Sequence, residues 1–169
     1  MVSTLTYRQL TIEDGPRVFD LVRTSGSLDV NSRYTYLLLG KYFASTSLVV
    51  ESAEGPVGCV LGFRPPEYPD TLFVWQVAVH PRHRGHGLAR KLIHLLLDSP
   101  GCSGATHLEA TVTPDNDASD ALFRGIARAY GADCQVEPCF ARRLFSDGGH
   151  APEHLYRIGP LSERRRRSS

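Results

Sequence analysis

Arg82-His83-Arg84-Gly85-His86-Gly87 sets two glycines among basic side chains directly before an apolar helical pattern. Those residue types at that spacing suit the capture of a phosphate. Gly85 and Gly87 let the backbone turn with positive φ and bring its N–H groups close to a ligand. Leu88, Leu92, Leu95 and Leu96 recur at helical spacing, so a helix N-terminus lies at the turn. Its free N–H groups and dipole favour an anion, and Arg82 and Arg84 add full charges. Upstream, the run 72–79 is apolar and β-branched enough for an interior strand, and Pro81 stops it. A glycine-rich turn before a helix is also a common plain connection. There is no GxxxxGK[ST], so a P-loop is excluded. No GxGxxG is followed by an acid about 20 residues on, so a dinucleotide fold is unsupported.

Carboxylates and aromatics form the second set. Glu109 stands in an otherwise apolar run, where a buried carboxylate needs a cation partner or a catalytic role. Glu153 and His150 fall in a polar stretch read as a loop, where a solvated acid is the ordinary outcome. Asp29 reads as a helix-entry cap. Trp75 is by default core. Asn116 reads as a helix N-cap. Cys59, Cys102, Cys134 and Cys139 make no CxxC pair and no zinc-ligand spacing, and Cys59 reads as a small core residue.

These residues need a scaffold, and 169 residues with 41% hydrophobic and 22% charged content suit one globular domain with a full core. No apolar run is long enough for a membrane span, and the first residues lack a signal-peptide core. Removing Glu163 and Arg164–Arg167 turns the net charge of +1 into −2, so the body is slightly acidic. The four-arginine run is too short and isolated to imply nucleic-acid binding. Patterning predicts strands at 4–10, 47–52, 57–64, 71–79 and 107–112, and less regular strands within 134–158. Helices are predicted from Thr11 to about Arg23, at 32–43, at 87–98 and, capped by Asp115 or Asn116, to about Tyr130. The first helix turns Val18, Leu21 and Val22 to the core. The second is expected to turn Tyr34, Leu37, Leu38 and Lys41 to one side. The order β-α-α-β-β-β-α-β-α-β-β is mixed α/β.

Arg82–Gly87 resembles the R/Q-x-x-G-x-G/A signature of the GCN5-related N-acetyltransferases (GNAT), and Val77-Ala78-Val79-His80-Pro81 resembles the V-A-V-x-P that precedes it there. The resemblance implies a single-domain acetyltransferase fold over 1–160, a mixed central sheet flanked by helices, with 161–169 as a flexible Arg-rich tail. It also implies acetyl-CoA as co-substrate, held by Val77, Val79, Arg82, Arg84, Gly85, His86, Gly87 and Leu88. Residues 113–123 resemble the family's N-x-x-S/A-x-x-L-Y helix, which adds Asn116 and Ser119 to the cofactor site. Phe123 stands where the family often has a Tyr that protonates the departing thiolate. The leaving-group acid is therefore unassigned, and Tyr130 reads as a packing residue.

A narrower resemblance, spanning about residues 5–160, is to the branch of the family that acetylates L-2,4-diaminobutyrate in ectoine biosynthesis. It is carried by Leu28–Ser32, Tyr34 with Tyr36–Leu39, Phe63–Pro66, Thr71–Val77, Leu108–Thr113 and Leu155–Pro160. It implies transfer to the 4-amino group by direct attack in a ternary complex, with a small diamino acid as partner and a homodimer as assembly. A cytoplasmic location is expected, with no metal, nucleic acid or membrane. Two ammonium groups and a carboxylate would be met by Asp29, Tyr34, Trp75, His150 and Glu153, while Arg64 could clamp the carboxylate or simply pack. Glu109 and Glu153 are the candidate bases. Two other readings fit the motifs: an acetyltransferase for another small amine, and a non-catalytic acetyl-CoA-binding regulator.

Overall fold

Strands and helices follow one another in the predicted order. A computed structural model of the chain describes residues 4–26, 28–145 and 149–162, and the Arg164–Arg167 run lies outside the described residues. The elements are β1 (Thr6–Gln9), α1 (Gly15–Ser25), α2 (Arg33–Tyr42), β2 (Ser47–Ser52), β3 (Gly55–Phe63), β4 (Thr71–Val79), α3 (Leu88–Leu97), β5 (His107–Val112), α4 (Asp117–Tyr130), β6 (Asp133–Phe140) and β7 (Glu153–Gly159). The strands form one mixed sheet in the order β1-β2-β3-β4-β5-β7-β6. The chain divides into two compact units, Met1–Arg64 with Val74–Ser103, and Pro65–Phe73 with Gly104–Ser169.

In the first unit, β1, β2 and β3 pair antiparallel, and Gly55 (φ 124°) closes the β2–β3 hairpin. Val18, Leu21 and Val22 of α1 form a core with Tyr36 and Leu39 of α2, Cys59 and Leu61 of β3, and Ala78 of β4. Burial pushes the Cys59 thiol up to about 12, as suits a small core residue. α3 buries Leu88, Leu92, Ile93, Leu96 and Leu97, while Leu95 faces outward.

α2 is rotated from the face expected from its pattern. Tyr36, Leu39 and Gly40 are buried, whereas Tyr34, Leu37 and Lys41 are exposed. The cause is a close approach: a Cβ at Gly40 would lie 2.4 Å from the Thr11 carbonyl oxygen. Only glycine lets that helix face meet the 11–12 backbone.

Where β1 meets α1, Arg8 is clasped between two acids. Its guanidinium donates to both Asp14 oxygens at 2.7 Å and to Glu51 at 2.8 and 3.0 Å. Burial pushes the Asp14 carboxyl up, but Arg8 together with the Thr11 N–H and hydroxyl holds it below its ordinary value.

In the second unit, β5 runs parallel to β4 over Thr71–Phe73 and antiparallel to β7, which pairs antiparallel with β6. Phe123, Ile126, Ala127 and Tyr130 of α4 are buried, as are Leu108, Ala110 and Val112 of β5 and Tyr156 and Ile158 of β7. Tyr130 is thus the packing residue expected. Glu153 is the first residue of β7, opposite Phe140, and not a loop residue as predicted. Its strand pairing supplies an order that a polar stretch does not advertise.

Gly40→Ala should destabilise the fold by about 1–3 kcal/mol through overpacking, the reverse of the usual gain in helix propensity; urea denaturation measures it. The Asp14 carboxyl is lowered in the folded state, so its contribution is present at neutral pH and lost as pH falls through the folded value. Asp14→Asn should therefore lower stability at pH 7 by about 1–3 kcal/mol and flatten the acid limb of a stability–pH profile.

Candidate active site

The glycine turn has the conformation its sequence demands. Gly85 and Gly87 have φ of 79° and 72°, with nothing within 4 Å of where a Cβ would stand. Conformation, not crowding, calls for glycine at both. Pro81–His83 forms one 3-10 turn, closed by the His80 ring, whose Nδ1 accepts from the Arg82 N–H at 3.3 Å. Gly87 is the N-cap of α3, and buried Leu88 pins the helix start to the core. Arg82, Gly85, His86 and Gly87 are exposed, and Val77 and Val79 lie on the half-buried face of β4. Among the described residues, the Arg82 guanidinium has no side-chain partner, so its charge is open to a ligand. Arg84 is used differently: its Nε donates to the Val79 carbonyl at 3.2 Å and its Nη2 to the Ser25 carbonyl at 2.5 Å.

The same unit holds Asp29 and Trp75. Asp29 is exposed, and its backbone carbonyl accepts from Gln76 Nε2 at 2.8 Å. The Tyr36 hydroxyl donates to Gln76 Oε1 at 3.2 Å. Burial pushes the Tyr36 phenol up, with hydrogen bonding from Asn31 acting against it. The half-buried Trp75 ring lies 6.5 Å from that of Tyr36. Tyr34, the aromatic expected at the site, is 66% exposed on the outer side of α2, and Tyr36 takes the place beside Trp75. Arg64 donates to the Ser103 carbonyl at 2.7 Å, the packing role weighed above. Gln76 and Tyr36 were not expected here; the available signal is a glutamine in an apolar strand, which must find partners once buried.

In the second unit, Glu109 of β5 stands directly opposite Arg157 of β7, and the two form an ion pair. A cation partner was one of the two outcomes expected for this carboxylate. Strand alternation puts Glu109, Thr111, Glu153, Leu155 and Arg157 on one sheet face. Glu153 lies 3.5 Å from His150 Nε2, and the His150 ring stacks on Phe145 at 4.0 Å. On the opposite side, Asn116 caps α4 by accepting from the Ser119 N–H at 3.0 Å, as its sequence position suggests. Phe123 is buried with its ring 6.2 Å from that of Tyr156. The Tyr156 hydroxyl donates to Asp120 at 2.6 Å; burial and this bond push the phenol up to about 12. Among the described residues there is no helix long and apolar enough to cross a membrane and no group of three metal-ligating side chains.

Comparison with known proteins agrees with this geometry. Residues 16–126 match the acetyltransferase (GNAT) family. L-2,4-diaminobutyric acid acetyltransferase of Shouchella clausii is 44% identical over 163 residues, spanning 95% of this chain and 91% of that protein. Its counterpart in Streptomyces coelicolor is 48% identical over 153 residues, spanning 89% and 90%. Among solved structures, diaminobutyrate acetyltransferase EctA from Paenibacillus lautus, in complex with its substrate L-2,4-diaminobutyric acid and coenzyme A, matches with a TM-score of 0.91. It is 41% identical, and the match covers 95% of this chain and 97% of that one. The NatC complex bound to Gag peptide and CoA matches at a TM-score of 0.72 and 19% identity, over 94% of this chain and 99% of that one, a likeness of fold alone. The seven-stranded mixed sheet with four helices, the positive-φ glycine turn and these likenesses agree: the chain belongs to the GNAT acetyltransferase family, in its diaminobutyrate acetyltransferase branch.

Proposed function

We infer that this chain transfers the acetyl group of acetyl-CoA to the 4-amino group of L-2,4-diaminobutyrate, giving N4-acetyl-L-2,4-diaminobutyrate for ectoine biosynthesis. The observation that carries this reading is the near-complete match to a structure complexed with diaminobutyric acid and coenzyme A. The pyrophosphate sits on the Gly85–Leu88 turn, where free N–H groups of α3 converge, with the open charge of Arg82 beside it. Val77 and Val79 line the pantetheine path along β4, and Asn116 and Ser119 contact the cofactor while holding the start of α4. Asp29, Trp75, His150 and Glu153 receive the diamino acid. Tyr34, which is exposed, meets the diamino acid at the rim of the same site.

One ammonium must lose a proton before it can attack. Glu153, beside His150, accepts it directly or through a water; Glu109 is the second candidate, although its pairing with Arg157 favours a structural role. The neutral amine forms a bond to the thioester carbonyl carbon, with the Val77 N–H stabilising the oxyanion. The C–S bond then breaks, and the thiolate takes a proton to leave as coenzyme A. Holding both reactants in place does much of the work.

The family match runs through both compact units, which supports reading residues 1–160 as one acetyltransferase domain. We further propose a homodimer as the assembly and the cytoplasm as the location. Four free cysteines suit a reducing compartment.

Coenzyme A thiol release should depend on L-2,4-diaminobutyrate in preference to polyamines and aminoglycosides, with NMR placing the acetyl group on N4. Turnover with another amine alone would retain the cofactor site and discard the substrate; cofactor binding without turnover would favour the regulator. Glu153→Gln should lower kcat/KM by about 100-fold. Glu109→Gln should lower thermal stability by stranding Arg157. Unchanged pH profiles in both variants would exclude these carboxylates as bases.

A further inference from the structure

We propose that Gln76 and Arg84 are positioning residues that fix the α1–α2 connection, and with it Asp29, so that the diamino acid meets a preformed anchor. This inference rests on the reading of Asp29 as a substrate contact.

The connection is held to β4 and its turn by the side chains of Gln76 and Arg84. Gln76 is 6% exposed in a strand whose other buried residues are Thr71, Leu72, Val74 and Ala78. Its amide is used at both ends: Nε2 donates to the Asp29 carbonyl and Oε1 accepts from the Tyr36 hydroxyl. A buried amide without partners is costly, so the site on β4 specifies where the Asp29 peptide must lie. Arg84 acts at the other end of the same connection. Ser25 ends α1, Gly26 (φ 67°) is its C-cap, and the Ser25 carbonyl is among the terminal carbonyls that a helix leaves without an internal partner. A guanidinium there satisfies the carbonyl and complements the negative end of the helix dipole. Its second bond, to the Val79 carbonyl, ties that helix end to the end of β4, where the glycine turn starts. Planar geometry is what lets one side chain reach both carbonyls, and an ammonium lacks the fork. The anchor for one reactant is thereby built onto the turn that holds the other.

Three variants test the assignment. Gln76→Leu removes both amide bonds, Tyr36→Phe removes only the hydroxyl, and Arg84→Lys keeps the charge but loses the fork. Gln76→Leu and Arg84→Lys should each raise the KM for diaminobutyrate about tenfold, with kcat and the coenzyme A Kd within about threefold. Tyr36→Phe should move KM in the same direction by less, and it serves if Gln76→Leu does not fold. Amide hydrogen exchange at residues 28–32 should rise in each variant, which requires no substrate. An unchanged KM in Arg84→Lys and in the folded β4–α2 variants, or unchanged exchange at 28–32, would overturn the proposal. A coenzyme A Kd that weakens tenfold in Arg84→Lys with KM unmoved would instead assign Arg84 to the pyrophosphate. If the wild-type protein does not turn over diaminobutyrate, the functional reading fails, while the exchange data still decide whether these residues fix the connection.

Discussion

A polar group buried without a partner costs about 1–3 kcal/mol, and meeting that demand shapes this molecule more than the packing of its apolar residues. Leucine and valine can fill a core in several arrangements; Gln76, Asp14 and Glu109 cannot. Each has its own partners, and these join segments far apart in sequence: Gln76 with Asp29 and Tyr36, Glu109 with Arg157, and Asp14 through Arg8, which reaches on to Glu51. The apolar residues exclude water, and these polar groups decide which arrangement of the elements is reached.

The glycine turn answers a different demand. Nothing crowds Gly85 or Gly87; their value lies in a backbone path that L side chains rarely adopt. The path presents N–H groups outward at the start of α3, and Leu88 keeps that start from drifting. Its chemistry is therefore mostly backbone chemistry. The flanking arginines differ by position: the one at 82 is open to a ligand, the one at 84 is already bound to carbonyls.

What could be read in advance follows from how local each signal is. The bounds of β4 and β5, the cap at Asn116 and the order of the elements depend on periodicity and caps within a few residues, and they matched. The face of α2 did not, because it is decided by the contact of Gly40 with the Thr11 backbone, twenty-nine residues earlier in the chain. The same reason hid Tyr36 behind Tyr34. Glu109 was recognisable as needing a cation partner or a catalytic role, yet no pattern near it names Arg157, since strand register supplies the partner. Glu153 looked like a loop residue because its strand is defined by pairing with β6, whose residues are mostly exposed and carry no alternation.

The clasp of Arg8 by two carboxylates responds unequally to loss of its members. With Asp14 and Glu51 both on one guanidinium, and Arg17 also 3.5 Å from Glu51, loss of either acid leaves the arginine with a counter-charge. Among the described residues, loss of the arginine leaves Asp14 without a guanidinium partner. Substitutions at these positions are therefore not interchangeable: either acid can be removed with Arg8 still paired, whereas removing Arg8 strands Asp14, so their effects do not add independently.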